Sequence, residues 1–468
     1  MMTRDEIKSM LEHDPDLVCD FIIALMERIE QLEKRLSQDS HNSSKPPSSD
    51  GLKRSKKTSS LKGKSNKKSG GQKGHNGSHL NMVATPDQTI IHKLDNNCGC
   101  GHPLTDIVCS DYKKRQVFDL PPLTIEVTEH RAEVKKCLCG KIHVADFPAG
   151  VNRPTQYGPR IKSHIIYLMV YQHIPYERTV ELISDVFEHT ISQGTLYNVY
   201  QACYDGLEHT DSVIKEQVIN SDVVHVDETG TSVNKSNHWI HTASTTDFTY
   251  YACHEKRGFR AMNDIGILPA YKGTAIHDFW SSYLKYDCQH GLCNAHHLRN
   301  LTYIAEQYQQ SWAQDMIILL VNIKKTVDTY KTTHHCLSKH LIQEFETIYQ
   351  QILTSGYEVN PPPDETSQKP KRGRKKRSEP VKLLDRFKDY QNEILAFMYN
   401  FDIPFDNNLA ERDLRMIKLH QKISGQFRNP FAASMFCRIR SYISSVKKHN
   451  INVMDSLIDL FNGKPVFS

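Results

Sequence analysis

Two aspartates follow short apolar runs, a position from which a rigid strand can hold a metal ligand. Asp227 follows the run at residues 223–226, and Asp278 follows a run that ends at Ile276. Each carboxylate is therefore expected at the end of a buried strand. Carboxylate oxygens are the hard ligands that Mg²⁺ prefers, so the two aspartates are candidates for a divalent cation site.

A third carboxylate, Glu411, lies in FDNNLAERDLR, a segment with helical spacing. Asp406 or Asn407 is expected to cap this helix. Asn408, Glu411 and Arg415 then share one helix face. The chain has 54 acidic residues, so spacing alone leaves open whether Glu411 joins the two aspartates.

Four cysteines occur as two tight pairs, each followed by glycine. The pairs are CGCG and CLCG, at Cys98, Cys100, Cys137 and Cys139. Four thiolates suit a tetrahedral Zn²⁺ site, and the glycines let the chain turn so that its amides face the sulfurs. His102 or His143 could replace one sulfur. A β module without metal, with buried free thiols, is the alternative.

Two segments of the chain are strongly cationic. Lys and Arg total 59 against 54 Asp and Glu, a net charge of +5, but residues 51–80 and 369–377 hold nine and seven cations without any acid. Such segments on an otherwise acidic chain indicate a polyanion partner. Lysines on a disordered linker can follow DNA phosphates without reading sequence. A merely solubilising linker is the alternative.

The second cationic segment resembles an AT-hook. Arg372 and Arg374 flank Gly373, which allows a narrow backbone to enter an A·T minor groove. The cations expected to bind DNA are Lys371, Arg372, Arg374, Lys375, Lys376 and Arg377. A basic address signal or a solvated loop is the alternative. Further candidates for contacts with the DNA backbone are Arg412, Arg415, Lys418, Arg438 and Arg440.

The sequence lacks the features of membrane and secreted proteins. No apolar run reaches the length of a membrane span, and the acidic start lacks the apolar stretch of a secretory signal. Twelve cysteines are too sparse for a disulfide scaffold. The sequence therefore predicts a cytoplasmic protein without a membrane partner.

Periodicity predicts the elements that position these residues. Heptad-spaced apolar residues predict a coiled-coil helix, with packing on its own domain as the alternative. The two heptad registers are Ile22, Ile29 and Leu36, and Val18, Leu25 and Leu32. Strand-like segments run between the cysteine pairs and from Asp222 to HDFWSSY, and helices cover residues 294–354 and continue from Val381. TISQGTLYNVY, with Ser192 or Thr195 as N-cap, has the shape of a helix-turn-helix, although ordinary helix packing is the alternative.

The expected architecture is a multidomain α/β protein. Its predicted parts are a coiled-coil helix at 1–40, a disordered basic linker at 41–80, a zinc-ribbon-like β module at 81–150, a helical DNA-binding domain at 151–215, the first part of a mixed core at 216–300, a helical insertion at 301–400 with the basic loop at 360–380, and core helices at 401–468.

Several motifs in one order resemble the insertion-sequence-66 transposases, a DDE-class family with an RNase-H-like catalytic core. The resemblance covers almost the whole chain. The motifs are HNSSKPPSSDG, GGQKGH, the cysteine pairs flanking DLPP and VTEHR, YGPR, IPYERT, HVDETG, HDFWSSY, CNAHHLRNL and DNNLAERDLR. The first cysteine pair departs from the C-P-x-C-G that the family usually shows.

The resemblance implies that Asp227, Asp278 and Glu411 form the catalytic triad, which holds two Mg²⁺ ions. It also implies a CxxH step at Cys293 and His296, for which structural support is expected. The implied reaction is cleavage at the 3′ ends of the element and strand transfer into target DNA, without a covalent enzyme intermediate. The implied partners are DNA, other copies of the chain as a homo-oligomer, with a dimer expected, and helper proteins of the same element. The implied setting is bacterial, with association to the nucleoid when DNA is bound.

Two alternatives to a transposase remain at the level of sequence. The first is a catalytically inactive relative that binds DNA ends or regulates without cutting them. The second is an RNase-H-like nuclease that hydrolyses DNA but does not join strands. Intact carboxylates at all three positions argue against the first.

Overall fold

The computed structural model describes residues 12–39, 41–43, 80–94, 98–105, 107–361 and 377–467. Helices and strands alternate in these ranges, which confirms the mixed α/β class. Within them, no helix is both long and apolar enough to cross a membrane. Most of the predicted basic linker, and the AT-hook-like cations other than Arg377, lie outside the described residues.

The N-terminal helix α1 spans Pro15–Leu36. Most of its heptad residues are exposed, and Leu36 is 84% exposed, whereas Val18 is buried. An exposed apolar stripe of this kind is what a second helix would cover in a coiled coil. The helix is therefore present as expected, and the coiled coil stays a prediction.

The regular structure described between residues 80 and 158 is one small hairpin. Strands β1 (Val134–Lys136) and β2 (Ile142–Val144) pair antiparallel. The sequence pattern predicted strands from residue 116 onward, but no strand is formed there before Val134. Val117 and Val127 are about nine-tenths exposed, and an alternating pattern does not hold a strand that lacks a partner.

Residues 159–219 form helices joined by short turns. They are α2 (Pro159–Ile166), a π-helix (Tyr167–Tyr171), α3 (Tyr176–Phe187), α4 (Gln193–Gly206) and α5 (Glu208–Ile219). Ser192 is the N-cap of α4, because its Oγ accepts a hydrogen bond from Thr195 N at 3.1 Å. The helix pair of the predicted helix-turn-helix is thus α3 and α4, with Leu196 buried and Tyr197 exposed on α4. Its binding to DNA stays a prediction.

A five-stranded mixed sheet forms the centre of the structure. Its strands are β3 (Val223–Val233), β4 (Ser236–Ser244), β5 (Thr249–His254), β6 (Thr274–His277) and β7 (Gln289–Leu292), with helix α6 (Phe259–Ile265) between β5 and β6. The spatial order is β5-β4-β3-β6-β7. Strands β3, β4 and β5 are antiparallel neighbours, whereas β6 and β7 run parallel to β3.

Strand β7 was not predicted from the sequence. It is short, and its residues QHGL lack a strand pattern. Gly291 faces Ile276 of β6, and a Cβ there would lie 2.5 Å from the Ile276 Cδ1 atom. The glycine therefore allows β6 and β7 to approach closely, although glycine is unfavourable in most strands.

A helical layer follows the sheet, as predicted. It consists of α7 (Asn294–Gln307), α8 (Ser311–Tyr330), α9 (Lys339–Glu358), α10 (Glu379–Asp389) and α11 (Gln391–Tyr399). Trp312, Tyr349 and Phe387 are fully buried in its core. In sequence, the cationic segment at residues 369–377 lies between α9 and α10.

Three helices form the C-terminal part of the chain, and the first two pack against the sheet. They are α12 (Asn408–Ser424), α13 (Pro430–Lys448) and α14 (Val453–Phe461). Ser441 Oγ and Ser445 Oγ of α13 accept hydrogen bonds from the backbone amides of Tyr251 and Thr249, at 2.9 and 3.1 Å. Helix α13 thereby covers edge strand β5.

One apolar core joins the N-terminal helices to the C-terminal ones. Ile165 of α2, Leu196 of α4 and Phe436 of α13 belong to the same buried cluster. Arg440 also lies in this region, is only 4% exposed, and therefore does not belong to a DNA-binding surface. Arg438 Nη1 donates to Tyr204 O at 3.0 Å and its guanidinium stacks on the Tyr204 ring, so it too has a structural role. The prediction of DNA contacts at Arg440 was wrong, because helix α13 turns that face inward.

Candidate active site

Asp227 lies on β3, and Asp278 directly follows the neighbouring parallel strand β6. His225 of β3 pairs with Ile276 of β6, and each aspartate is two positions further along its chain. Both aspartates therefore follow the last paired residues of the two strands, and the charge of Asp278 raises the pKa of Asp227. Asp278 directly follows β6, as predicted. Asp227 lies inside β3 rather than at its end, because β3 continues to Val233 as the partner of β4.

Glu411 lies in the first turn of α12, a helix that packs on β3 and β4. Burial raises the pKa of Glu411, and the negative charges of Asp406 and Asp278 act in the same direction, whereas Arg299 and Arg415 oppose the shift. The interaction with Asp278 shows that the helix brings Glu411 into the field of the sheet carboxylates.

Asn407 fixes the start of α12 against the sheet. Its Nδ2 donates to Val226 O at 2.9 Å, and its Oδ1 lies 2.9 Å from His225 Nδ1. The first-turn amide of the helix is satisfied by Asp406 instead, whose Oδ1 accepts from Asn408 N at 3.1 Å. Of the two predicted capping side chains, Asp406 therefore bonds a helix amide, and Asn407 connects the helix to β3.

The charged form of Asp227 is strongly disfavoured in the absence of a cation. Burial raises its pKa well above the ordinary range, and the charges of Glu228, Asp278 and Glu411 raise it further, although the backbone amide of Glu228 opposes them. Burial also raises the pKa of Asp278. These shifts place the three predicted carboxylates in one shared electrostatic environment.

The donor set fits a hard divalent cation. Asp227, Asp278 and Glu411 supply only oxygen ligands, and positive charge would offset their mutual repulsion. Glu411 Oε1 is buried without a hydrogen-bond partner. Among the described residues, however, the oxygens of these three carboxylates are not all within 4.8 Å of one another.

An ion pair next to Asp227, in which the carboxylate is buried and the arginine is partly exposed, was missed by sequence reasoning. The Glu228 side chain is only 1% exposed and accepts from Arg257 Nε at 2.8 Å and from the hydroxyl of Tyr283. Both partners lower the pKa of Glu228, while burial, the largest effect, raises it. The adjacent carboxyl residues Asp227 and Glu228 therefore have different environments: Glu228 is paired, and Asp227 is not.

Arg257 is held between two tryptophans at the edge of the site. Its guanidinium carbon lies 4.8 Å from the Trp239 ring centroid and 4.3 Å from that of Trp280. Trp280 N donates to Asp278 Oδ1 at 3.0 Å, which ties this stack to the aspartate. The sequence hinted at this stack through Trp280, two positions after Asp278. Its partner Arg257 follows a different strand, so the pairing could not be predicted from that motif.

A second arginine, Arg386, also acts on the charge of Asp278. Arg386 of α10 stacks on the Phe279 ring, with its guanidinium carbon 4.2 Å from the ring centroid. Arg386 Nε is buried without a hydrogen-bond partner. Arg257 and Arg386 both oppose the burial effect on the pKa of Asp278. Two guanidinium groups on different aromatic rings thus act on this carboxylate, and guanidinium groups are suited to binding phosphate.

The CxxH step lies beside Glu411. Cys293 immediately precedes α7, its thiol is buried, and its Sγ accepts from Asn407 N at 3.1 Å. His296 Nδ1 lies 3.8 Å from Glu411 Oε1. Burial raises the pKa of Cys293 to about 12. Burial, together with Arg299, lowers the pKa of His296 to about 4.

The two cysteine pairs form two turns of the same geometry. Gly101 N donates to Cys98 O at 2.8 Å, and Gly140 N donates to Cys137 O at 2.8 Å. Both glycines adopt positive φ, at +93° and +90°. The turns that the glycines predicted are therefore present in both pairs.

The thiols of the two turns are exposed and are not gathered around one point. The exposed cysteines of the turns are Cys98, Cys100, Cys137 and Cys139. In the described ranges their sulfurs are not all within 4.8 Å of one another. The backbone amide of His102, followed by the Cys98 thiol, lowers the pKa of Cys100 to about 7. Zinc binding by this module stays a prediction.

Of the cations in the AT-hook-like segment, the structure describes Arg377. Arg377 is paired with Asp385 of α10. The other five cations, Lys371, Arg372, Arg374, Lys375 and Lys376, lie outside the described residues.

Comparison with known proteins agrees with the resemblance drawn from the motifs. The family model described as Transposase IS66 family matches residues 154–435, well over half of the chain. A second model, described as a family of unknown function (DUF6444), matches residues 16–81. Comparison with curated proteins gives no match. Since the first match contains the whole five-stranded sheet together with Asp227, Asp278 and Glu411, the chain belongs to the IS66 family of transposases.

Proposed function

We propose that this transposase binds the ends of its insertion sequence, cleaves them at their 3′ ends and joins them to target DNA. Asp227, Asp278 and Glu411 are the proposed catalytic carboxylates. One observation carries the proposal: burial raises the pKa of all three groups, which are far apart in sequence, and the charges of Asp278 and Glu411 raise the pKa of Asp227 further. Unpaired carboxylates gathered in this way are typical of functional sites.

The topology of the sheet supports an RNase-H-like core. Two adjacent parallel strands carry one aspartate each, and antiparallel strands extend the sheet on one side. Glu411 comes from a helix packed on β3 and its antiparallel neighbour β4. Strands and helices hold side chains more rigidly than loops, as catalytic positioning requires.

The proposed chemistry consists of two phosphoryl transfers at one site. In the first, a water oxygen attacks the phosphorus at the element's end, and the 3′ oxygen leaves as a hydroxyl. In the second, that 3′ hydroxyl attacks a target phosphodiester, and the target's own 3′ oxygen leaves. Two Mg²⁺ ions, when bound by the three carboxylates, supply Lewis acidity and a more nucleophilic oxygen. The attacking groups are water and DNA, so no serine or tyrosine nucleophile is needed.

The chain's own cations are proposed to hold the DNA. Arg257 and Arg386 both act on the charge of Asp278 and are suited to meet a scissile phosphate. The proposed contacts outside the site are Lys371, Arg372, Arg374, Lys375, Lys376 and Arg377. Arg377 must give up Asp385 for this, so we expect a smaller contribution from it.

Assembly is proposed to involve α1 and, in the N-terminal module, zinc. Pairing two element ends requires at least two subunits, and the exposed apolar stripe of α1 suits a coiled-coil dimer. Zn²⁺ held by the two cysteine turns would give the weakly packed module a rigid centre. Helper proteins of the same element remain part of the proposal.

One assay separates this proposal from the two alternatives. The purified chain is incubated with labelled element ends, Mg²⁺ and a plasmid target, and the nicked and joined products are counted. A transposase gives both products, a hydrolytic nuclease gives nicks without joining, and an inactive relative retards the DNA without cutting it. Asp287→Asn is a matched control, because Asp287 is exposed and lies nine positions after Asp278; it should leave both products unchanged.

A further inference from the structure

Three potential metal ligands of different chemistry meet where α7 and α12 begin. The ligand atoms of Cys293, His296 and Glu411 all lie within 4.8 Å of one another, and no other set of three does so in the part of the chain that is described. Cys293 immediately precedes α7, His296 lies one turn later, and Glu411 is in the first turn of α12. The cluster therefore joins two helices that follow different parts of the sheet.

Two atoms of this cluster lack any hydrogen-bond partner. His296 Nδ1 and Glu411 Oε1 are both buried, and neither has a hydrogen-bond partner among the described residues. They lie 3.8 Å apart, which is too far for a hydrogen bond. Buried polar atoms are rarely left unsatisfied, and each such pair calls for an explanation such as an ion. A cation between them would satisfy both atoms at once.

The distances agree with a small tetrahedral ion. Bonds of about 2.3 Å to sulfur and about 2.0–2.2 Å to nitrogen and oxygen place tetrahedral ligands about 3.4–3.6 Å apart. The separation of 3.8 Å between His296 Nδ1 and Glu411 Oε1 needs only a slight contraction to reach this range. Side-chain rotation of Glu411 or His296 would supply it.

The donor set selects a borderline cation over a hard one. A thiolate and an imidazole are ligands of Zn²⁺ and similar ions, whereas Mg²⁺ and Ca²⁺ take oxygen ligands. Cys293 and Glu411 carry two negative charges when ionised, which neutralises a divalent ion. Arg299 lowers the pKa values of both His296 and Glu411, so its positive charge acts at this cluster. Two negatively charged ligands would therefore be needed to offset the charge of a bound cation beside this arginine.

We propose that Cys293, His296 and Glu411 bind one borderline divalent cation of the zinc type, with its fourth position open. Binding releases the Cys293 thiol proton to solvent as the sulfur–metal bond forms. The hydrogen bond from Asn407 N to Cys293 Sγ, at 3.1 Å, supports the thiolate. Glu411 binds this cation through Oε1, which leaves Oε2 for the site formed with Asp227 and Asp278. The cation thereby fixes the third carboxylate and connects α7 to α12.

Cobalt binding to the full-length chain tests this site. The test background carries serine in place of the four exposed cysteines of the N-terminal turns, Cys98, Cys100, Cys137 and Cys139, so that they cannot contribute thiolate signals. Co²⁺ titration of this metal-free protein should give one equivalent of bound ion with a thiolate-to-cobalt absorption band. Zn²⁺ should remove the band, and excess Mg²⁺ should not.

Variants of the three ligands locate the ion. Cys293→Ser should abolish the thiolate band, and Glu411→Gln or His296→Ala should weaken Co²⁺ binding at least tenfold, since each loses one of three ligands. The matched control Cys288→Ser should bind like the background protein, because Cys288 is not part of the cluster. Glu411→Gln is nearly isosteric, so it remains informative even where Cys293→Ser lowers stability.

The Co²⁺ titrations decide the metal-site proposal without a DNA cleavage assay. The absence of a thiolate band, or a band that survives Cys293→Ser, would overturn it. Displacement of Co²⁺ by Mg²⁺ at equal concentration would overturn the assignment of the site to a borderline cation. A chain that binds Co²⁺ as expected but does not cleave element ends would contradict the proposed function alone, and cleavage without Co²⁺ binding would contradict this proposal alone.

Discussion

The Asn407 side chain binds the backbone of Val226, the residue before Asp227. Asn407 Nδ2 donates to Val226 O at 2.9 Å across 181 positions of sequence. The same residue donates from its backbone to the Cys293 thiol. Through its side chain and its backbone, the buried Asn407 thus connects the strand of Asp227, the helix of Glu411 and the segment that leads into α7. The relative positions of the proposed catalytic groups depend on this residue.

Replacing Asn407 by alanine should destabilise the protein. The change leaves the Val226 carbonyl and His225 without their partner in a buried place, so we expect a loss of about 2–4 kcal/mol in the free energy of unfolding. Urea denaturation measures it. Asn408→Ala is the matched control, because Asn408 is exposed at the next position; its effect should stay within about 1 kcal/mol. Equal effects of the two changes would contradict the role given to Asn407.

Stability should depend on pH through Asp227. Its pKa is raised in the folded protein, chiefly by burial, so folding is favoured when the group is protonated. This contribution is fully present below the unfolded-state pKa of about 3.9 and is lost as the pH rises through the folded-state pKa. Asp227→Asn removes the ionisation but keeps the hydrogen-bond acceptor for Glu228 N.

We therefore expect metal-free Asp227→Asn to be more stable than the wild type, by a margin that grows from pH 5 to pH 8. Thermal unfolding at several pH values measures the margin, and contributions from histidines cancel in the difference. Mg²⁺ should shrink it at pH 8 by stabilising the wild type alone. Asp287→Asn should show no such trend. A margin that falls with pH would contradict the unpaired state of Asp227.

Removing Arg257 should destabilise the site by leaving Glu228 unpaired. The Glu228 side chain is almost fully buried, whereas Arg257 is partly exposed, so we expect Arg257→Ala to cost about 2–3 kcal/mol, below the range for fully buried pairs. Adding Glu228→Gln should restore part of this loss. Arg260→Ala is the control, since Arg260 is exposed and pairs weakly with Asp264 at 3.8 Å. Denaturant unfolding of the four proteins tests the pairing; an unaffected Arg257→Ala variant would rule it out.

The cationic segment should raise DNA affinity through its total charge and favour A·T tracts through its arginines. Two sets of variants separate these effects. Replacing Lys371, Arg372, Arg374, Lys375 and Lys376 by glutamine should lower DNA affinity and reduce the slope of log affinity against log salt by up to about 4. Replacing only Arg372 and Arg374 by lysine keeps the charge, so the slope should persist while any preference for A·T tracts is lost. Salt titrations with A·T-rich and G·C-rich duplexes measure both quantities. An unchanged slope in the glutamine variant would mean that the segment does not contact DNA.

Local patterns predicted much of the fold. The alternating segments after Asp222 became β3 to β6, and the helical spacing from Asn294 became α7 onward. These predictions succeeded because those segments bury their apolar faces. The same reasoning failed for residues 116–133, whose apolar side chains no second layer of the described residues covers. It also missed β7, whose polar start and Gly291 hide the strand.

The candidate site was only partly visible in the sequence. Asp227, Asp278 and Glu411 carried a signal because each sits in a distinctive motif. Arg257 did not, because it follows β5, and its bond to Glu228 of β3 spans 29 positions of sequence. The bond between Asn407 and Val226 is equally nonlocal, and a capping role was the natural local interpretation of that asparagine.

Cleavage of labelled element ends by three matched variants tests the central claim most directly. Asp227→Asn, Asp278→Asn and Glu411→Gln each remove one charge without changing side-chain size. Each should lower Mg²⁺-dependent cleavage by more than about 100-fold, since the loss of a direct ligand exceeds the effect of losing a supporting residue. Affinity for the DNA ends should stay within about twofold, because phosphate contacts elsewhere position the DNA. Any one of the three variants that cleaves at the wild-type rate would remove its residue from the triad and contradict the mechanism.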